Sequence, residues 1–163
     1  MMNDITNALF SASRKGNVPV LKEIFDIIKD VNVTDDKGYT PLIIAAYNNQ
    51  PEAVTALLSA GAFIDATDGS GNTALMGACF KGYAEVAQLL LDSGANVNAV
   101  HGNGGTALMF AVMFGRNDMI DLLLDNGADV TIKDKRGLTV LEIAHQQRNT
   151  FAAEKLEKTD TAM

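Results

Sequence analysis

Apolar residues return along the chain as pairs of short clusters separated by polar, glycine-containing stretches. Leu42-Ile43-Ile44-Ala45-Ala46, Ala74-Leu75-Met76 with Ala78-Cys79, and Ala107-Leu108-Met109-Phe110-Ala111-Val112 form one series, each cluster opened by a threonine. Each is followed by a leucine-bearing cluster, around Leu57-Leu58, Leu89-Leu90-Leu91 and Leu122-Leu123-Leu124, with charged residues between the apolar positions. Such spacing predicts two helices per cluster pair: a short first helix whose alanines permit close packing, and a second with leucines on its inward face. Gly61, Gly94 and Gly127 stand where the second helix must stop in a left-handed cap, and extended segments such as Ala95-Asn96-Val97-Asn98 follow.

The pattern is strictly periodic. Gly38, Gly71, Gly104 and Gly137 are each 33 residues apart, and Thr40, Thr73, Thr106 and Thr139 follow in the same register. Leu42, Leu75, Leu108 and Leu141 come next, and Ala45, Ala78, Ala111 and Ala144 after them. A period in this range is the signature of a stacked repeat in which each unit buries its apolar face against the next. Gly16 holds, in an upstream unit, the place of Asn49, Gly82 and Gly115 between the two helices.

Gly38-Tyr39-Thr40-Pro41-Leu42 through Ala45-Ala46, and Gly82-Tyr83-Ala84-Glu85-Val86-Ala87-Gln88-Leu89-Leu90-Leu91, resemble the ankyrin repeat, and the likeness covers about residues 3–157. It implies an all-α solenoid of stacked helix-turn-helix units with short β-hairpin turns projecting from one edge. The units fall at about 3–34, 35–67, 68–100, 101–133 and 134–157, with residues 158–163 expected to be a frayed tail. The first and last units read as caps, because a terminal unit has one face against water: Arg14, Lys15, Lys22 and Lys29 lie along the first, while Lys155 and Glu157 replace leucines in the last. The histidine that usually follows Thr-Pro-Leu in the family is replaced by Ile43, Met76, Met109 and Glu142, so apolar contact is expected in its place.

Composition narrows the functional classes. The 163 residues carry 13 Lys+Arg against 20 Asp+Glu, a net charge of −7, which disfavours binding to nucleic acid or to anionic membrane. A single cysteine, Cys79, allows no intrachain disulfide and no thiolate metal cluster, and it shares a small-residue column with Ala46 and Val112. The longest apolar run, Ala107–Phe114, is far short of the roughly 20 residues that span a bilayer. The amino terminus does not read as a secretory signal, so the expectation is a cytoplasmic protein, monomeric when free. Chemistry-bearing residues are few. His101, in His101-Gly102-Asn103-Gly104-Gly105, is the one position that suggests small-molecule binding or hydrolysis, yet it occupies the turn column of Asp35, Asp68 and Asp134. His145 falls in the packing column of Cys79. No catalytic residue, metal or cofactor is assigned.

Charge is segregated. Between residues 38 and 132 the only cations are Lys81 and Arg116, against nine acids. Most of the acids fall at the ends of the second helices, the outer side in an ankyrin array, where Glu52, Glu85 and Asp118 suit a helix start. The opposite face, built from the turns and the first helices, carries large apolar groups and few acids. Its candidate protein-binding residues are Lys37, Tyr39, Tyr47, Asn48, Asn72, Phe80, Lys81, Met113, Phe114, Arg136 and Leu138. The resemblance implies a non-catalytic module that presents a rigid concave surface to mask, inhibit or scaffold another protein. Small free-standing arrays of this kind resemble ones common in bacteria, which suggests an immunity or regulatory partner of a neighbouring gene's toxin or enzyme as a narrower alternative.

Overall fold

The structure is a computed structural model that describes residues 3–162. Among these residues ten helices fall into five pairs: α1 (Asp4–Lys15) and α2 (Val18–Phe25), α3 (Pro41–Tyr47) and α4 (Pro51–Ser59), α5 (Ala74–Lys81) and α6 (Ala84–Asp92), α7 (Ala107–Met113) and α8 (Asn117–Asp125), and α9 (Val140–Gln146) and α10 (Thr150–Thr161). First helices pack on first helices (α1 on α3, α3 on α5, α5 on α7, α7 on α9), and second helices on second helices, so two parallel layers enclose one continuous core. The all-α solenoid expected from the period is what forms.

The repeated threonines start the first helices. Thr40, Thr73, Thr106 and Thr139 each accept a hydrogen bond from the backbone N–H three residues on, satisfying one of the donors orphaned at a helix start. These short helices are buried on nearly every side: Leu42, Ala45, Leu75, Ala78, Leu108 and Ala111 are at most 2% exposed. Ile43, Met76 and Met109, the replacements for the family histidine, are 4%, 2% and 2% exposed, so apolar packing does take that place. The two helices of a pair are joined at a residue with positive φ, supplied by Gly16, Asn49, Gly82, Gly115 and Arg148.

Turns between units are hairpin tips rather than strands; one isolated antiparallel bridge, Val100 with Thr106, is the whole β content of the described residues. In three tips an aspartate side chain closes the loop. Asp35 accepts from the N–H of Lys37 and Tyr39, Asp68 from Ser70 and Asn72, and Asp134 from Arg136 and Leu138. Successive tips are stitched together: Gly69 N–H donates to Lys37 O (3.0 Å), Gly102 N–H to Ser70 O (3.1 Å) and Lys135 N–H to Asn103 O (2.9 Å). This approach leaves no space for a side chain at Gly71, where φ is +88° and a Cβ would lie 2.7 Å from Gly102 N.

On the opposite edge, loop side chains bridge units. Asn32, Asp65 and Asn98 accept from the N–H of Phe63, Asn96 and Asp129 respectively. Of residues 158–163, expected to fray, Lys158 to Thr161 continue α10, where the hydroxyls of Thr159 and Thr161 donate to Lys155 O and Glu157 O. The last buried apolar side chain of α10 is Leu156. Met163 lies outside the described residues.

Candidate functional site

The last turns of α3 and α5 and the residue that caps the end of α7 carry large aromatic side chains. Tyr47, Phe80 and Phe114 form a continuous aromatic row there. The Tyr47 and Phe80 rings are nearly parallel (10°) with centroids 6.4 Å apart, and Phe114 meets Phe80 edge to face at 4.6 Å. Both spacings lie within the range in which aromatic pairs attract. Lys81 reaches back so that its Nζ lies 4.9 Å from the centre of the Tyr47 ring. Tyr47 is 43% exposed and Phe114 46%, so the row presents much of its surface to solvent.

This row walls a groove of about 540 Å³ between the first helices and the turn tips. Of the residues picked from the sequence, Tyr39, Tyr47, Asn48, Asn72, Phe80 and Phe114 line it, and Lys81 sits at its edge through the contact with Tyr47. The other four lie elsewhere. Met113 is exposed beside the row, Lys37 stands on a turn tip, Leu138 packs against the core, and Arg136 is tied to Asp134 at 2.7 Å. Asp134 is pushed up by burial, the largest single influence, but the N–H groups of Leu138 and Arg136 and the Arg136 side chain together outweigh it and hold the carboxyl below its usual range. Arg136 therefore serves its own turn.

Sequence reasoning missed several lining residues: Gly77 in the floor, Ile44 and Phe110 beside it, and Arg14 at the amino-terminal end. A signal existed for Gly77, since the same column holds Ile44, Phe110 and Ile143. Arg14 was visible only as a capping cation, because its approach to α3 depends on how the first unit stacks. Asp68 also lines the groove, with its oxygens already accepting from Ser70 N–H, Asn72 N–H and Asn72 Nδ2.

His101 borders the groove. Its Nδ1 accepts from Asn103 N–H at 3.1 Å, as the aspartates do at that place in the other tips, while Asn103 Oδ1, 2.8 Å from the same nitrogen, accepts from Gly105 N–H. The His101 ring packs edge-on against Phe110 at 5.5 Å. Cys79, beneath the row, is 0% exposed, and burial followed by the nearby Asp118 charge pushes its thiol up to about 12. A thiol in that state is neither nucleophile nor metal ligand at neutral pH. Among the described residues no three His, Cys, Asp or Glu side chains converge to hold a metal ion, and no helix is long and apolar enough to cross a membrane.

The comparisons with known proteins agree with this architecture. A family model described as ankyrin repeats in three copies matches residues 9–101, and a second, for ankyrin repeats in many copies, matches residues 90–144. Among curated proteins, the human "Ankyrin repeat and SOCS box protein 3" is 35% identical over 57 residues, which are 35% of this chain and 11% of that protein. The chain thus spans a small fraction of that relative. Ankyrin repeats are generally protein–protein interaction modules and typically non-catalytic. With the 33-residue unit, the two helix layers and the stitched turns all in place, the chain belongs to the ankyrin repeat family.

Proposed function

We propose that this protein is a non-catalytic binding module that docks a partner protein in the groove of its first-helix face, and so masks, inhibits or scaffolds that partner. The observation that carries the reading is the aromatic row of exposed Tyr47 and Phe114 with half-buried Phe80 between them, along a groove of about 540 Å³. Clusters of partly exposed aromatics on a preformed surface are the composition of an interface centre, where a few large side chains dominate the affinity. The surface rests on helices buried against one another, so little ordering remains to oppose association. His101 Nδ1 bonded within its own turn and the burial of Cys79 support the non-catalytic reading.

The test uses affinity capture followed by binding measurements on the partner so identified. Phe80→Ala or Tyr47→Ala should each cost about 2 kcal/mol or more. That is roughly a thirtyfold loss of affinity, 1.4 kcal/mol being tenfold. Glu85→Lys, on the second-helix layer, should leave affinity within a factor of a few. A partner whose binding is abolished by Glu85→Lys and indifferent to the aromatic changes would overturn the proposal.

A further inference from the structure

The groove has a gap in its floor that the fold does not require. In the column of Ile44, Phe110 and Ile143, the central unit carries Gly77, in the interior of α5. Its φ is not positive, so the backbone makes no demand for glycine. A Cβ built there would meet one atom within 4 Å, Tyr47 Cδ2, at 3.4 Å, which is the edge of ordinary contact. Glycine inside a helix is destabilising relative to alanine. The position therefore gives up helix stability where alanine would fit, and its bare backbone lines the groove with Ile44, Phe110 and Phe80, a notch relative to the neighbouring levels with the Tyr47 ring at its side.

The lining identifies what fits the notch. Ile44, Phe110, Tyr47 and Phe80 share the groove lining with Gly77, and no buried side-chain nitrogen or oxygen among the described residues is left without a hydrogen-bond partner. An apolar group loses nothing there, whereas a polar group would be stripped of water without compensation. The rim has the opposite character. Arg14 lines the groove, Lys81 Nζ lies 4.9 Å from the centre of the Tyr47 ring, and neither has an ion-pair partner among the described residues. The one carboxylate in the lining, Asp68, is occupied by its turn. In a chain of net charge −7, whose acids Glu52, Glu85 and Asp118 open the second helices, this rim is locally cationic.

We propose that the notch over Gly77 receives a single large apolar side chain from a partner segment that carries carboxylates beside that anchor, paired with Arg14 and Lys81. The inference rests on the docking role proposed for this face and adds the chemistry of the segment that docks. The apolar anchor supplies lifetime by filling the notch, and the acidic flanks supply orientation and a salt-dependent association rate.

The experiment selects binders from a phage-displayed library of random peptides against the full chain, then measures the enriched peptides by fluorescence anisotropy. Enriched sequences should share one bulky apolar residue with Asp or Glu close on either side. Gly77→Leu should weaken them at least tenfold while leaving the thermal midpoint equal or higher, and Gly77→Ala should weaken them less. Arg14→Gln and Lys81→Gln should each reduce affinity severalfold, and less so in high salt. If Gly77→Leu lowers the midpoint, the Gly77→Ala measurement decides in its place. Peptides that bind Gly77→Leu or Gly77→Ala as tightly as the parent yet are weakened by Phe80→Ala would overturn the notch and leave the docking face standing. Peptides indifferent to both Gly77 and Phe80 would overturn both readings, and enrichment of basic sequences, or of none, would overturn the proposed chemistry.

Discussion

Gly71→Ala and Gly127→Ala form a matched pair that isolates what the stitched turns contribute. Both glycines have positive φ, +88° and +84°, so alanine meets the same backbone penalty at each. That penalty is about 1–2 kcal/mol for a residue held in the left-handed region. The loss of unfolded-chain freedom from glycine to alanine, worth about 0.4–1 kcal/mol in the stabilising direction, is also common to both. The surroundings differ. At Gly127 nothing lies within 4 Å of the new Cβ, whereas at Gly71 it would lie 2.7 Å from Gly102 N and 3.4 Å from Gly102 Cα. The atom in the way is backbone, so the neighbouring turn must move, and the Gly102 N–H to Ser70 O bond of 3.1 Å lies in the same contact. Losing that bond and the surrounding packing adds about 1–2 kcal/mol. Gly71→Ala should therefore cost about 2–3 kcal/mol and Gly127→Ala about 1 kcal/mol or less, after the shared terms.

Urea unfolding followed by circular dichroism gives the ranking. Because a repeat array need not unfold in one step, native-state amide exchange at residues of α5 and α7 supplies the local value. A difference of about 1–2 kcal/mol is a factor of roughly 5–30 in an opening equilibrium, well within reach of exchange. If Gly127→Ala proves as costly as Gly71→Ala, the turn-to-turn contact contributes nothing and the stack is held by its helices alone.

Three further outcomes are expected. Arg148, exposed and at φ +54°, occupies a position that glycine holds in three other units, so Arg148→Gly should stabilise the last unit by about 0.5–1 kcal/mol, seen as a higher melting temperature; a lower one would show that its side chain matters more than its backbone. Cys79, buried and with its thiol raised to about 12, should react with a thiol reagent at pH near 8 at least about a hundredfold more slowly than in the urea-unfolded chain, and fast labelling of the native protein would show that the central unit is open. Acid should loosen the carboxy-terminal units first. Asp129 is held below its usual range by hydrogen bonds from Thr131, and Glu142 by hydrogen bonds from Thr139; Asp134 is pushed up by burial but held low by the groups of its turn. A carboxyl depressed in the folded state stabilises at pH above its unfolded value, about 4, and that stabilisation is lost as pH falls further. Amide exchange between about pH 5 and 3 should show α9 and α10 losing protection before α5, and the reverse order would refute the assignment.

The parts of the fold legible in the sequence are those that repeat. A threonine that caps, an alanine that lets helices touch and a glycine that lets turns touch recur because every unit meets its neighbours in the same way. Four copies in register turn a weak local preference into a firm one. Ile43, Met76 and Met109 illustrate how far this extends: their burial follows from column position alone, against the family's usual polar residue. What was illegible is what happens once. The longer run of α10, Thr150–Thr161, has no counterpart among the other second helices, which end after eight or nine residues. Lys155, expected to be a mere cap substitution, reaches Asp121 of the preceding unit at 2.6 Å, and the hydrogen bond to that carboxylate raises its ionisation. Half exposed, the pair adds orientation more than stability.

The candidate site divides along the same line. Tyr47, Phe80 and Phe114 could be picked out because their columns lie on the exposed side of a helix whose other sides are buried. Arg136 could not be separated from them, since an arginine on a turn reads alike whether it is free or bound to the aspartate two residues before it; here it is bound. Gly77 went unnoticed for the opposite reason. In a repeat protein the informative residue is a departure from its own column, and a missing side chain carries no composition signal to draw attention to it. Columns that keep their residue type from unit to unit are maintained by the stack, which makes the same contacts at each level. Gly77 departs from Ile44, Phe110 and Ile143 at a place where the backbone does not demand glycine and the nearest atom to an added Cβ is Tyr47 Cδ2 at 3.4 Å, and the proposed apolar anchor supplies the filling contact from outside the stack. Gly77 and Arg14 line the same groove, Lys81 Nζ lies 4.9 Å from the centre of the Tyr47 ring, and neither cation is ion-paired among the described residues, so an apolar anchor with acidic flanks is the segment that would complement this level.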